Sequence, residues 1–130
     1  TKAVLSGSLV PSAVFGNWKF SSWPLGPLRD FSPKNWESVR TCNLSVHRED
    51  ALRIAGLDER YVGWGREDSD FVVRLIHSGV KIRSGRLAAC VAHLYHPEIP
   101  RDQLSVNDKI FRETLNNPNH VMATSSILHL

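Results

Sequence analysis

"YVGWGREDSDFVVRLIHSG", residues 61–79, carries the two signals on which the reading of this chain turns. Its first half sets Gly63 and Gly65 on either side of Trp64. Backbone can then approach a ligand closely, while an indole offers a flat face suited to the apolar side of a sugar ring. Its second half repeats Phe71, Val72, Leu75 and Ile76 at three- and four-residue spacing and ends at Gly79, which predicts a helix running from Glu67 to about Ser78. Glu67, Asp68 and Asp70 fall in the first turn of that helix, where the positive end of its dipole favours carboxylates. Crowding of three acids works against that field and can hold one of them ready to accept a proton, so the turn is a candidate for general-base chemistry. The same acids would serve equally as ordinary capping and dipole partners, with Trp64 as part of the core. Asp68-Ser69-Asp70 is formally an Asp-x-Asp. A metal-diphosphate pair of that kind follows an apolar strand, however, and this one follows a glycine loop and opens a helix.

Upstream, "TCNLSV" (41–46) reads as a short strand and "HREDALRIAG" (47–56) as a helix with Leu52, Ile54 and Ala55 turned inward and Gly56 ending it. Downstream, "VKIRSG" (80–85) and "RLAACVAHLY" (86–95) are strand-like, and Pro97 with Pro100 ends the second. "NDKIFRETLNN" (107–117) predicts a further helix with Ile110, Phe111 and Leu115 on one side, and "VMATSSILHL" (121–130) can pack back on the core. The first 40 residues hold Trp18, Trp23 and Trp36, and their prolines and glycines leave no helical or alternating period. The expectation is a mixed α/β fold in three segments. Residues 1–40 pack through aromatic anchors on a neighbouring N-terminal half, 41–100 form the site-bearing core, and 101–130 supply a C-terminal helix and tail.

A chain of 130 residues with 42% apolar composition suffices for one buried core. Its apolar runs fall far short of the roughly 20 residues of a membrane span, and its start shows no signal-peptide pattern, so a soluble domain is expected. Cys42 and Cys90 lie far apart without paired spacing, which predicts neither a metal knuckle nor a disulfide framework, and the expected setting is reducing and cytoplasmic. Beginning at Thr1, the chain reads as an excised piece of a longer protein, and apolar surface left bare in the isolated piece would promote self-association. A net charge of +3, scattered rather than striped, supports nucleic acid only weakly and suits an anionic partner such as a nucleotide diphosphate or lipid headgroup equally well, and no nucleic acid partner is expected.

"HLYHPE" (93–98) is the second chemical feature. Imidazole suits manganese, iron or zinc. On a regular strand, His93 and His96 would face opposite ways, so one of them at most could bind a given ion. A lone histidine is also commonly just a hydrogen-bonded structural residue.

Together, "LDERYVGWGREDSDFVVRLIHSG" (57–79) and the downstream "HLYHPE" resemble the carboxy-terminal half of GT-A fold (nucleotide-diphospho-sugar transferase-like) glycosyltransferases. The closest likenesses are the vertebrate beta-1,4-galactosyltransferases and the bacterial family 2 transferases that build capsule and lipopolysaccharide. The likeness spans roughly residues 38–100. It implies a partial GT-A fold in which Trp64 and Gly65 border the acceptor sugar and Glu67 binds an acceptor hydroxyl. Asp68 would be the general base and Asp70 a supporting acid, and His96, with His93 as the alternative, would complete the coordination of manganese. It further implies inverting transfer of a hexose from a UDP-linked donor to a saccharide or lipid-linked saccharide, for bacterial surface polysaccharide, at the cytoplasmic side of the inner membrane. The sequence departs from the family pattern at Cys42, beside Asn43, and at Arg66, both positions where glycine is common. The donor-binding half with its Asp-x-Asp is not found in these residues, so the chain alone should be a poor catalyst. Two other classes compete: a non-catalytic carbohydrate-binding or partner-binding module, and a metal-dependent hydrolase built on His93, His96 and the acids.

Overall fold

A computed structural model describes residues 3–6, 8–11, 35–84, 90–93 and 100–129 of the chain. Short strands and three helices alternate through these residues. The strands are β1 (Ala3–Ser6), β2 (Ser8–Pro11), β3 (Leu44–Ser45), β4 (Lys81–Ser84) and β5 (Cys90–His93). The helices are α1 (Arg48–Arg53), α2 (Glu67–His77) and α3 (Leu104–Asn116). One sheet has the order β3-β1-β4, with β1 antiparallel to β3 and parallel to β4; β2 and β5 form a separate parallel pair. A parallel pair needs a crossover. Everything from β3 to α2 lies between β1 and β4 in sequence, so the site-bearing segment belongs to the long connection between those strands.

The expected mixed α/β character is thus present, and α2 has the residue span its periodicity predicts. Its polypeptide turns off at Gly79, at φ +87°, where Gly79 donates to the Ile76 carbonyl and Val80 to that of Leu75. The apolar residues of α2 assemble the core: Phe71, Val72 and Leu75 pack with Val39, Ile54, Val80 and Ile82, and Trp36, Leu44 and Val46 lie against them. The expectation fails for Ile76, which is exposed, because Asp70 and Arg74 occupy the buried face instead.

Several other expectations are corrected. Helix α1 is a residue or more shorter at each end than the 47–56 reading, and Leu52 lies outward while Ile54 and Ala55 are buried past its last turn. Residues 41–43 form a 3-10 turn, which leaves only Leu44–Ser45 as strand. The third helix begins at Leu104, and its buried residues are Asn107, Phe111 and Thr114, with Leu115 exposed. The tail does pack back: Ala123 donates to the Ile54 carbonyl, Ser126 Oγ to that of Ala55, and Glu59 to that of Ser125. Within the first 40 residues β1 is the middle strand of its sheet, paired inside this chain, whereas residues 12–34, with Trp18 and Trp23, lie outside the described residues. Among the described residues no helix is long and apolar enough to cross a membrane.

Candidate active site

The loop before α2 owes its shape to backbone that few residues adopt. Gly63, Gly65 and Arg66 have φ values of +72°, +104° and +78°. Glycine takes such angles freely, whereas an arginine in the left-handed region costs about 1–2 kcal/mol. Arg66 is held there by an ion pair from its Nε to Asp108 Oδ1 and by its guanidinium lying 5.4 Å from the centre of the Phe111 ring. The departure from glycine at this position is therefore accommodated by α3. No such need arises at Cys42, because the only non-glycine residues with positive φ among the described residues are Ala55 and Arg66.

Arg66 is the N-cap residue of α2, and its carbonyl accepts from the Asp70 amide at 2.8 Å. The three acids that follow meet different surroundings. Asp68 is partly exposed; its Oδ1 accepts from the Ser69 amide at 3.0 Å and its Oδ2 from that of Thr41 at 3.3 Å. Glu67 is also partly exposed as a residue, yet its Oε2 is out of solvent and meets no donor among the described residues. A carboxylate oxygen in that state is short of one hydrogen bond.

Asp70 has no solvent exposure. Its Oδ2 accepts from Arg74 Nε at 2.7 Å, and its Oδ1 from Thr114 Oγ1 at 2.7 Å and Tyr61 Oη at 3.1 Å. Arg74, equally buried, spends its remaining nitrogens on the carbonyls of Ile54 (2.8 Å) and Gly56 (2.9 Å), just beyond the end of α1. Burial raises the Tyr61 hydroxyl far above its ordinary value, and the charge and hydrogen bond of Asp70 add to that, so the phenol stays a donor. With both oxygens engaged inside the protein, Asp70 has none to offer an acceptor. The supporting place among the acceptor-binding residues implied for it gives way to that of an internal anchor.

Trp64 is 38% exposed, so it is not core. The Arg101 guanidinium lies 4.2 Å from the centre of its ring, a cation–π contact. Gly65 is buried, and a Cβ built on it would stand 3.0 Å from Leu104 Cδ1. Glycine is thus favoured there by backbone angle, and a Cβ would also ask the tip of the Leu104 side chain to give way. The loop's carbonyls are gathered by one side chain, Asn107, whose Nδ2 lies 3.1 Å from Val62 O, 3.4 Å from Trp64 O and 3.0 Å from Gly65 O.

The structure therefore leaves Trp64, Glu67 and Asp68 at least partly exposed at one end of α2, while Gly65 and Asp70 are buried there. His93 is the last residue of β5, where it pairs with Pro11 in register; His96 lies outside the described residues. Among the described residues no three His, Cys, Asp or Glu side chains converge as a metal site. Sequence reasoning missed the contribution of α3, whose Asn107, Asp108 and Thr114 hold the loop, Arg66 and Asp70. The signal was available: Asn107, Phe111 and Thr114 recur at helical spacing, so two polar residues flank the aromatic one on what should be an apolar face.

A family model described as the N-terminal domain of galactosyltransferase matches residues 29–97, more than half of the chain. No curated protein and no solved structure matches it significantly.

Proposed function

The chain belongs to the galactosyltransferase family, and on that premise we propose that it is the acceptor-binding portion of an inverting glycosyltransferase with a GT-A fold. The observation that carries the reading is the grouping of a half-exposed indole with two partly exposed carboxylates, Glu67 and Asp68, where a glycine loop enters α2. The Trp64 ring supplies a platform for an acceptor sugar, and the partly exposed carboxylate of Glu67 takes a hydrogen bond from one of its hydroxyls. Asp68 takes the proton of the attacking hydroxyl. The acceptor oxygen bonds to the anomeric carbon as the bond to the nucleotide diphosphate breaks on the opposite side, giving inversion.

The donor, a UDP-linked hexose in the first instance, is bound by a half of the enzyme outside these residues, and the acceptor is a saccharide or lipid-linked saccharide of bacterial surface polysaccharide. The family description speaks of an N-terminal domain, whereas the motifs resemble a carboxy-terminal half; placing the chain in the acceptor half follows the motifs. A divalent cation, manganese first, would take His96 as a ligand and supply positive charge to the departing diphosphate. The matching location is the cytoplasm, with peripheral attachment to the inner membrane for a lipid-linked acceptor.

Asp68→Asn in the full-length enzyme tests the reading with UDP-hexoses and manganese. Loss of the base lowers kcat by about 100-fold or more while acceptor binding is retained. Transfer that survives at more than a third of the original rate would remove Asp68 from the chemistry. No transfer by the unaltered enzyme with its donor half present would make this a carbohydrate-binding module.

A further inference from the structure

We propose that Asn107 is a positioning residue for acceptor recognition, acting through the main chain of the loop that carries Trp64. The inference rests on the acceptor-site reading above and adds to it a residue beyond the matched segment, which ends at 97.

Asn107 is 1% exposed and sits in the first turns of α3, on the face turned to α2. Carbonyl oxygens of Val62, Trp64 and Gly65 surround its side-chain nitrogen at 3.0 to 3.4 Å. Three acceptors around one end of the amide fix which end is nitrogen, because a carbonyl oxygen there would meet only other oxygens. The loop has no regular ladder of its own and runs through two left-handed glycines, so its carbonyls need an outside donor when buried. Asn107 is that donor, its two N–H groups shared among the carbonyls of three of its residues. Because Trp64 is one of them and Gly65 leads directly into the N-cap of α2, the amide sets the position of the indole against Glu67 and Asp68.

Asn107→Asp in the full-length enzyme keeps the shape and removes the donors, and Asn107→Ala removes them without placing a carboxylate against carbonyls. Both variants should raise the acceptor KM by about tenfold or more, with the donor KM unchanged. In a Trp64→Ala background the same substitutions should add little to the acceptor KM, because the loop then has no indole to place. Faster hydrogen exchange at the Gly65 and Arg66 amides should accompany the change and needs no turnover to be read. A purely structural role would lower the active fraction and leave both KM values in place. That result, full additivity with Trp64→Ala, or unchanged exchange at Gly65 and Arg66 would overturn the proposal. Absence of sugar transfer by the unaltered enzyme would count against the functional reading instead, with the exchange measurement still deciding whether Asn107 holds the loop.

Discussion

Asp68 and Asp70 stand two residues apart in one helical turn, which places them about 200° apart around α2. Asp68 looks outward and takes two backbone N–H groups, one of them at the long distance of 3.3 Å. Asp70 looks inward to a guanidinium, a phenol and a hydroxyl, fully out of solvent. In the sequence they form one acidic run; in the fold they do unrelated work, one available to chemistry and one, together with Arg74, tying α2 to α3, the entering loop and the residues just past α1. The lesson concerns charge runs in general. Helix geometry decides which members share a surface, and a partner four residues on, here Arg74, marks the member that goes inside.

The sharpest way to break the comparison is to remove the cation that makes burial of Asp70 tolerable. Arg74→Leu leaves a carboxylate without its cation in the interior and strips the guanidinium donors from the Ile54 and Gly56 carbonyls, the first of which keeps the Ala123 N–H, and it should cost about 3–5 kcal/mol in urea denaturation. A loss below about 1 kcal/mol would mean that the buried pair does not hold the fold. Gly65→Ala comes next. Its Cβ would press on Leu104 and sit at φ +104°, so a loss of about 1–3 kcal/mol is expected, together with weakened acceptor binding. Melting within a degree of the unaltered protein would show that the loop gives way more easily than its geometry suggests.

Asp58 offers a second buried acid with which to sharpen the contrast. Burial by itself would raise its carboxyl, but the Arg60 guanidinium and the backbone N–H groups of Thr124 and Arg60 outweigh that and hold it below its ordinary 3.8. A carboxyl lowered by folding stabilises the native state above its ordinary value, and the contribution is lost as pH falls through the folded value. Asp58→Asn should therefore cost about 1–2 kcal/mol at neutral pH and flatten the decline of stability below pH 3.8, followed by urea titrations down the acid range. An unchanged acid slope would assign that decline to other carboxylates. The smallest effect belongs to Arg66→Gly. It relieves left-handed strain but gives up the contacts with Asp108 and Phe111, so the net change should stay within about 1 kcal/mol by thermal melting. A larger loss would show the Asp108 pair outweighing the strain.

Helix α2 is legible in the amino-acid sequence because eleven residues of clean 3.6 periodicity and a terminal glycine agree. Trp64, Gly65, Glu67 and Asp68 are legible as a candidate site because a local run places them by itself. Legibility fails where placement depends on distant partners. Nothing near residue 70 says that Thr114 and Tyr61 will close around its carboxylate, since the first of these lies 44 residues away. Nothing in the opening "AVLS" says that it will be the middle strand between residues 44–45 and 81–84. A four-residue strand has too little length for its period to stand out. Leu52 misleads because an apolar residue on a six-residue helix has no second turn to fix which face is inside.

The clasp of Asn107 on the loop is blind to side chains. It grips carbonyl oxygens, which every residue type carries, so the identities at 62 and 64 can be exchanged without removing the grip. Of the three gripped residues only Gly65, at φ +104°, is held to its identity by its lack of a side chain. The arrangement separates the shape of the loop from its chemistry: variation or design can rewrite what residue 64 presents to a ligand while the same fixed frame presents it.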